Sequence, residues 1–124
     1  MMIKKTTRQI GQEKEKEALH FFEEKGWKLI AKNVLYRTGE IDLILKDQEN
    51  TIIFVEVKYR SSLSHGVPQL TVLPYKQNRL IKSALTFIKK NKLQGHDFRF
   101  DVLALFPAGI EHIPNAFSSA KYSI

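Results

Sequence analysis

The chain has 124 residues, with 20 lysine and arginine residues against 13 aspartate and glutamate residues and a formal net charge of +7. This length predicts one domain, residues 1–124. Because there is no cysteine, disulfides and cysteine-bound zinc are excluded, and no apolar run approaches the length that crosses a membrane. We expect a cytoplasmic protein without a membrane segment. Residues 1–9, which include Lys4, Lys5 and Arg8, are expected to form a flexible basic arm.

A first helix is predicted from about Gly11 to Lys25, a stretch rich in helix-forming residues that ends at Gly26. At helical spacing, its core-facing stripe consists of Glu15, Ala18, Leu19 and Phe22. Glu15 is thus an acidic residue on the face that is expected to be buried. Two interpretations remain open. Either Glu15 reaches a functional site from this helix, or it lies in a fraying first turn, where acidic residues suit the helix dipole.

Three strands are predicted after this helix, over Trp27–Tyr36, Gly39–Leu45 and Ile52–Lys58. The last two each have one wholly apolar face, and matching these faces sets the register of an antiparallel hairpin. The register pairs residue 41 with 57, 43 with 55 and 45 with 53. It requires an odd number of loop residues, such as Asp47 to Thr51, or a bulge.

This register brings two carboxylates together. Asp42 lies directly opposite Glu56, with Cβ atoms about 4.5–5.5 Å apart, and Lys58 lies on the same face, about 7 Å further along its strand. Two carboxylates so close repel each other unless a proton or a cation lies between them. The alternative is an ordinary solvated ion pair on an exposed sheet face. Because Ile44 and Phe54 share that face, we favour a covered cleft that turns acidic at one end.

A loop, a second helix and a fourth strand complete the predicted core. Residues 61–74 contain serine, glycine and proline, which predicts a loop that covers the site. Tyr75–Asn91 is amphipathic, and its apolar stripe consists of Leu80, Ile81, Ala84, Leu85 and Ile88. Phe98–Phe106 predicts a strand that contains Asp101. Asp101 is either an edge residue, the interpretation we favour, or a residue that supports the side chains of the site. A short edge strand over Ile110–Ile113 and an irregular tail follow.

The element order αβββαβ predicts an α/β (α+β) fold with a mixed central sheet flanked by helices. Histidine is the remaining residue type with metal-binding chemistry. His20, His65, His96 and His112 lack the spacing of zinc ligands, and we predict that they are surface or turn residues.

Two segments of the hairpin resemble a known family. Gly39-Glu40-Ile41-Asp42, followed by Phe54-Val55-Glu56-Val57-Lys58 and Arg60, resembles the YraN family of small bacterial proteins, which is placed in the PD-(D/E)xK nuclease superfamily. The resemblance covers nearly the whole chain, with Ile41 in place of the proline of the superfamily motif. It implies a restriction-endonuclease-like core and an activity similar to that of Holliday-junction resolvases.

The resemblance also implies roles for four residues. Asp42 and Glu56 match the metal-binding acids, Lys58 matches the catalytic lysine, and Glu15 matches the acid on the helix. Mg²⁺ or Mn²⁺, which prefer oxygen ligands, would be held by Asp42, Glu56 and the backbone carbonyl of Val57, with Glu15 bound directly or through water. The cation would make bound water more acidic. Lys58 would orient that water or stabilise the developing negative charge.

The basic composition favours a nucleic-acid substrate, because lysine and arginine contacts to phosphate give salt-dependent affinity. The candidate phosphate-binding residues near the proposed site are Arg37, Arg60, Lys76 and Arg79. The alternative is that the positive charge only keeps the protein soluble. Three tyrosines are candidates for stacking on splayed bases or for ordinary packing: Tyr36, Tyr59 and Tyr75.

Two classes of function follow. The first is a metal-dependent endonuclease that acts on branched or structured DNA; a resolvase cuts two strands symmetrically and is therefore expected to be a two-fold homodimer. The second is a nucleic-acid-binding module that keeps the nuclease fold but has little or no catalysis of its own. RNA is an alternative substrate in either class. Cleavage in the presence of Mg²⁺ or Mn²⁺ distinguishes the two classes.

Overall fold

The computed structural model of the protein describes residues 4–60 and 72–119. Its helices are α1 (Thr7–Glu23) and α2 (Pro74–Lys90), and its strands are β1 (Lys28–Tyr36), β2 (Gly39–Lys46), β3 (Ile52–Tyr59), β4 (Phe98–Phe106) and β5 (Gly109–Phe117). Within these residues no helix is long and apolar enough to span a membrane. Most of the loop predicted over 61–74 lies outside the described residues.

The described strands form one sheet in the order β1-β2-β3-β4-β5. All neighbouring pairs are antiparallel except β3 and β4, which are parallel. The helices cover opposite faces, since α1 and α2 pack into separate apolar clusters built from alternate residues of β3. The mixed α/β fold, with its central sheet flanked by helices, and the order αβββαβ are therefore confirmed.

Alternation along β3 positions both helices. Ile52 and Phe54 pack with the α2 side of the core, whereas Ile53 and Val55 pack with the α1 side. Burying one such side chain contributes about 1.5–3 kcal/mol. The predicted inner stripe of α2 is confirmed, because its members are buried or half-buried: Leu80, Ile81, Ala84, Leu85 and Ile88.

Helix α1 begins at Thr7, about one turn earlier than predicted. The Thr6 hydroxyl accepts a hydrogen bond of 3.1 Å from the Gln9 backbone N–H, and the Gln9 side chain accepts one of 2.8 Å from the Thr6 N–H. This reciprocal capping satisfies two donors at the helix start. Residues 7–9 thus belong to a helix, and their assignment to the flexible arm was wrong. Glu15 lies well inside α1, so the explanation by a fraying first turn no longer applies.

The predicted hairpin register is confirmed over its paired part. Leu43 pairs with Val55 and Leu45 pairs with Ile53. The odd loop is also confirmed, since the Asp47 N–H donates a hydrogen bond of 3.1 Å to the Thr51 carbonyl. The β2–β3 pairing ends at Leu43 and Val55.

The end of the chain differs from the prediction. Strand β5 runs from Gly109 to Phe117, well beyond the short strand expected at Ile110–Ile113. Pro114 is tolerated because β5 lies at the edge of the sheet, where a missing N–H breaks no pairing. The strand absorbs a register shift near Asn115, whose φ is 50°.

Asp101 is not an edge residue, and this prediction was wrong. It is fully buried in β4, between β3 and β5. Its carboxylate accepts hydrogen bonds from the Arg99 side chain at 3.0 and 3.2 Å and from the Asn115 N–H at 2.9 Å, and it lies 2.8 Å from His112 Nε2. Burial acts to raise the pKa of Asp101, but these hydrogen bonds, with the charge of Arg99, lower it below its usual value.

The prediction for the histidines was correct at two positions and wrong at one. His20 and His96 are exposed. The His112 side chain lies inside the protein and makes edge-on ring contacts with Phe22 and Trp27. His65 lies outside the described residues.

Candidate active site

Strands β2 and β3 separate beyond Leu43 and Val55, and Asp42 occupies the opening. Asp42 Oδ2 accepts a hydrogen bond of 2.8 Å from the Val57 backbone N–H. At this point the Asp42 side chain therefore takes the place of the backbone pairing between β2 and β3. Asp42 and Glu56 still lie near each other, but not as the regular cross-strand pair that the sequence predicted.

Strand alternation breaks at Asp42. Ile41 packs on the α2 side together with Ile44, whereas Leu43 packs on the α1 side. In β1, the residue between the pairs Lys32–Leu43 and Val34–Ile41 is Asn33, whose φ is 52°. Asparagine tolerates this left-handed conformation better than most residues do. The irregularity leaves the Asp42 carboxylate in contact with cavities on both faces of the sheet.

The first of these, the α2-side cavity, brings together four of the predicted site residues, whereas Lys58 lines neither cavity. The α2-side cavity has a volume of about 230 Å³ and is lined by Gly39, Glu40, Asp42, Glu56, Lys76, Arg79 and Leu80. Glu56 is 7% exposed, and its Oε1 lies 2.5 Å from the Lys76 ammonium. Both predicted metal-binding acids thus share one cavity with two of the predicted phosphate-binding residues.

The second, the α1-side cavity, contains the helical acid. It has a volume of about 170 Å³ and is lined by Gly11, Lys14, Glu15, Asp42, Val57 and Tyr59. Both Glu15 carboxylate oxygens accept hydrogen bonds from the Asn33 amide, at 2.9 and 3.0 Å, and Lys32 Nζ lies 3.6 Å from one of them. Glu15 and Glu56 therefore line different cavities, and Asp42 is the acid common to both.

Asp42 is the most perturbed acid of the site. Burial, followed by the nearby charge of Glu56, raises the pKa of Asp42 to about 7. The hydrogen bond from Val57 and the charge of Lys76 act in the opposite direction. Since this pKa is above the value in the unfolded chain, the stability contributed by protonated Asp42 is lost as the pH rises towards 7. Below about pH 7, a cation that binds this carboxylate displaces a proton.

Lys58 is perturbed in the direction that suits proton transfer. Partial burial, followed by the positive charges of Arg60 and Lys76, lowers the pKa of Lys58, and Glu56 opposes this effect. An ammonium group with a lowered pKa exchanges its proton more readily near neutral pH. Lys58 follows Glu56 by two residues on β3, as the sequence predicted.

Helix α2 makes hydrogen bonds to the turn between β1 and β2, beside the α2-side cavity. Arg79 Nε donates a hydrogen bond of 2.7 Å to the Thr38 carbonyl, and the Ser83 hydroxyl lies 2.6 Å from the Thr38 hydroxyl. Gly39 has a φ of 149°, and a Cβ placed there would lie 3.6 Å from the Arg79 side chain. The turn therefore packs directly on the helix that carries Lys76 and Arg79.

The two remaining predicted phosphate-binding residues lie at strand ends. Arg37 directly follows β1, in the turn held by α2. The Arg60 backbone N–H donates a hydrogen bond of 2.9 Å to the Leu105 carbonyl, and its guanidinium donates one of 3.2 Å to the Tyr59 carbonyl. Neither residue lines the α2-side cavity itself.

The donor set fits a hard divalent cation that is only partly enclosed by protein. Within residues 4–60 and 72–119, no group of three histidine, cysteine, aspartate or glutamate side chains is placed to hold a metal ion. Mg²⁺ is commonly bound through one or two carboxylates, water and substrate phosphate. Asp42 and Glu56 match that pattern, since both line the α2-side cavity.

Sequence reasoning missed the residues that hold the acids in place. Asn33 binds Glu15, and Lys76 pairs with Glu56. The signal for Asn33 was a polar residue that tolerates a positive φ within an apolar strand. No local pattern relates Lys76 to Glu56, because the two residues are brought together only by the packing of α2 on the sheet.

Comparison with known proteins places the chain in a family. The family model described as "Uncharacterised protein family UPF0102" matches residues 14–105. The chain belongs to this family. It is 40% identical over 124 residues to a UPF0102 protein of Trichlorobacter lovleyi, covering 96% of this chain and 98% of the relative. It is 43% identical over 110 residues to one of a Sulfurihydrogenibium species, covering 89% and 95%. The resemblance to the YraN family is thereby confirmed.

Two solved structures show a distant similarity. One is a repair endonuclease from Pyrococcus abyssi, with a TM-score of 0.42 and 19% identity, covering 88% of this chain and 42% of that chain. The other is SfsA of Pyrococcus furiosus in complex with Ca²⁺, with a TM-score of 0.31 and 17% identity, covering 81% and 58%. The chain thus spans less than two thirds of the length of either structure.

Proposed function

We propose that the protein is an endonuclease dependent on Mg²⁺ or Mn²⁺ that hydrolyses phosphodiester bonds in branched or structured DNA, in the manner of a Holliday-junction resolvase. One observation carries the proposal. Asp42 and Glu56 share a single cavity with Lys76 and Arg79, so ligands for a hard cation lie beside groups that bind phosphate. The net charge of +7 supports a polyanionic substrate.

Each side chain has a role in this reaction. Asp42 and Glu56, with the main-chain carbonyl of Val57, would hold the cation, and Glu15 would contribute through water, since Asn33 already binds its carboxylate. When bound there, the cation would polarise the phosphate and make bound water a stronger acid. Lys58 orients the attacking water and stabilises the negative charge that develops on the phosphate.

Substrate binding uses the basic residues around the cavity. Lys76 and Arg79 contact the phosphate at the cleavage point, and Arg37 and Arg60 contact flanking phosphates. Symmetric cutting of a four-way junction requires two copies of the site, so we propose that the active form is a two-fold dimer. RNA with a similar branch is the alternative substrate.

The test is cleavage of a panel of DNA forms with Mg²⁺ or Mn²⁺: a four-way junction, a flap, a single strand and a duplex of matched sequence. We expect the wild type to cut the branched forms. Asp42→Ala and Lys58→Ala should each reduce the rate by about a hundredfold or more, since each removes a group that acts in the transition state. Lys82→Ala, an exposed change on α2, is the control and should retain activity.

The second candidate function is a nucleic-acid-binding module without catalysis. It is favoured by the contacts of two of the acids with other side chains, since Lys76 pairs with Glu56 and Asn33 binds Glu15. Binding by the wild type and both alanine variants, with no DNA form cut at any metal concentration, would establish this second candidate and exclude the first.

A further inference from the structure

The α1-side cavity has a lining that differs in character from that of the α2-side cavity. Around the carboxylates of Glu15 and Asp42, its walls are Val57, the ring of Tyr59 and the side chain of Lys14. Tyr59 is 44% exposed, an unusual position for an aromatic ring beside two acids. An exposed ring at the wall of a cavity is a surface on which a planar group can stack.

A cation lies over one face of this ring. Lys14 Nζ is 5.0 Å from the centroid of the Tyr59 ring and 3.3 Å from the Glu17 carboxylate. The ammonium is therefore held at the wall of the cavity, within reach of the same small ligand that stacks on the ring. A stacking surface next to a phosphate-binding cation is the combination that recognises single-stranded nucleic acid.

The mouth of the cavity is open on the side of α1. A Cβ added at Gly11 would meet no atom within 4 Å. The absence of a side chain there leaves room for a ligand. The backbone at Gly11 has no positive φ that would by itself account for the glycine. A nucleobase is of a size that suits this space of about 170 Å³.

The acidic residues of the cavity determine which part of a nucleotide can enter it. Glu15 and Asp42 are both acidic, so a phosphate placed between them would be repelled. A neutral base is tolerated there, and its phosphate can remain outside, near Lys14. A base in a continuous duplex is stacked and paired, so it cannot reach the cavity without being extruded.

We propose that the α1-side cavity binds an unpaired nucleotide adjacent to the phosphate that is cut, with its base stacked on Tyr59 and its phosphate held by Lys14. The proposal rests on the proposed endonuclease function and deepens it, because it names the substrate feature that is recognised. The protein selects DNA in which a base next to the cleavage point is free, as at a junction or a flap, over a continuous duplex.

The test measures binding in EDTA, so that it does not depend on cleavage. Two hairpin DNAs of matched sequence, one with an unpaired 2-aminopurine and one with the same base paired, are titrated with the full-length protein. We expect tighter binding and a change in 2-aminopurine fluorescence for the unpaired form. Tyr59→Ala should weaken binding of that form by about tenfold, the effect of losing one base–aromatic stack, and Tyr59→Phe should restore it.

Two matched controls accompany these variants. Leu35→Ala removes another exposed apolar side chain, which lies on β1 and outside this cavity, and should leave the preference unchanged. Gly11→Leu fills the mouth of the cavity and should abolish the preference, whereas Gln12→Leu on the next position of α1 should not. Circular dichroism and thermal unfolding confirm that each variant is folded.

The outcomes separate this proposal from the proposed function. If Tyr59→Ala and Gly11→Leu bind both hairpins as the wild type does, the nucleotide site is excluded even where cleavage is observed. If the stacking signal depends on Tyr59 and Gly11 but no DNA form is cut with Mg²⁺ or Mn²⁺, the nucleotide site stands and the endonuclease is excluded.

Discussion

Glu56 is paired with an ammonium group at the position where the proposed function requires a metal cation. Its carboxylate is nearly buried, and Lys76 Nζ lies 2.5 Å from it. The structure thus balances the charge of the acid with a residue from α2. A divalent cation that binds Glu56 must compete with Lys76, and the displaced ammonium is then free to contact phosphate.

Replacing Lys76 should therefore strengthen metal binding while weakening cleavage. The Lys76 side chain is about half exposed, so its ion pair with Glu56 is worth about 0.5–1 kcal/mol, and Lys76→Met should raise the affinity for Mg²⁺ or Mn²⁺ by about two- to fivefold. Isothermal calorimetry measures this gain. Lys82→Met removes the same charge from an exposed position outside the cavity. An equal gain in that variant would show that net charge, and not release of Glu56, is responsible.

The identities of the paired acids could be predicted from the sequence, but their geometry could not. Apolar alternation predicts the pairing of Leu43 with Val55 and hence brings Asp42 near Glu56. The separation of the strands at Asp42 depends on the hydrogen bond to Val57 and on the conformation of Asn33. These are tertiary features that strand periodicity does not encode.

At the scale of elements, the helices and the central strands were predictable because each has a strong apolar period. The edge was not. Strand β5 has a proline and an irregular register, and what holds it is the buried carboxylate of Asp101 on the neighbouring strand. The partners of Asp101 come from positions far along the chain, so no local pattern signals them.

The Asp101 network should stabilise the fold above about pH 4 and lose its effect in acid. The pKa of Asp101 is lowered in the folded protein, so its stabilisation is present above the unfolded pKa and is lost as the pH falls through the folded pKa. Asp101→Asn should cost about 3 kcal/mol in the free energy of unfolding at pH 7, since it leaves the positive charge of Arg99 without its carboxylate partner. The difference from the wild type should shrink below pH 4.

Urea denaturation at a series of pH values measures this effect. Asp97→Asn is the matched control, because Asp97 is exposed immediately before β4. A constant difference between Asp101→Asn and the wild type from pH 7 to pH 3 would show that the carboxylate contributes through packing rather than through its charge.

For the whole molecule, the net charge of +7 sets the expected mode of substrate binding. The basic residues near the site lie on separate elements, with Arg37 after β1, Arg60 after β3, and Lys76 and Arg79 on α2. The sheet brings them to the end at which β2 and β3 separate. Composition predicted the positive charge, but only the fold shows that Lys76 and Arg79 line the same cavity as Asp42 and Glu56.

Affinity for DNA should therefore fall steeply with salt. Each neutralised phosphate contributes a slope of about −0.9 to a plot of log affinity against log salt concentration, so four contacts predict a slope of about −3.6. Arg37→Ala should reduce the magnitude of that slope by about 1. Lys28→Ala, at the opposite end of β1, should leave it unchanged. Fluorescence anisotropy in EDTA at several salt concentrations measures both slopes, and equal slopes for the two variants would contradict the assignment.

Asp42 lines both the α1-side cavity and the α2-side cavity, so replacing it changes the two cavities at once. A variant at this position alters the cation ligands on one side and the floor of the proposed nucleotide pocket on the other. Loss of activity there cannot be divided between chemistry and recognition. The two cavities can be altered separately at other positions, because Lys76 lines the α2-side cavity and Gly11 lines the α1-side cavity. Genetic dissection of this protein is therefore best begun at those two positions.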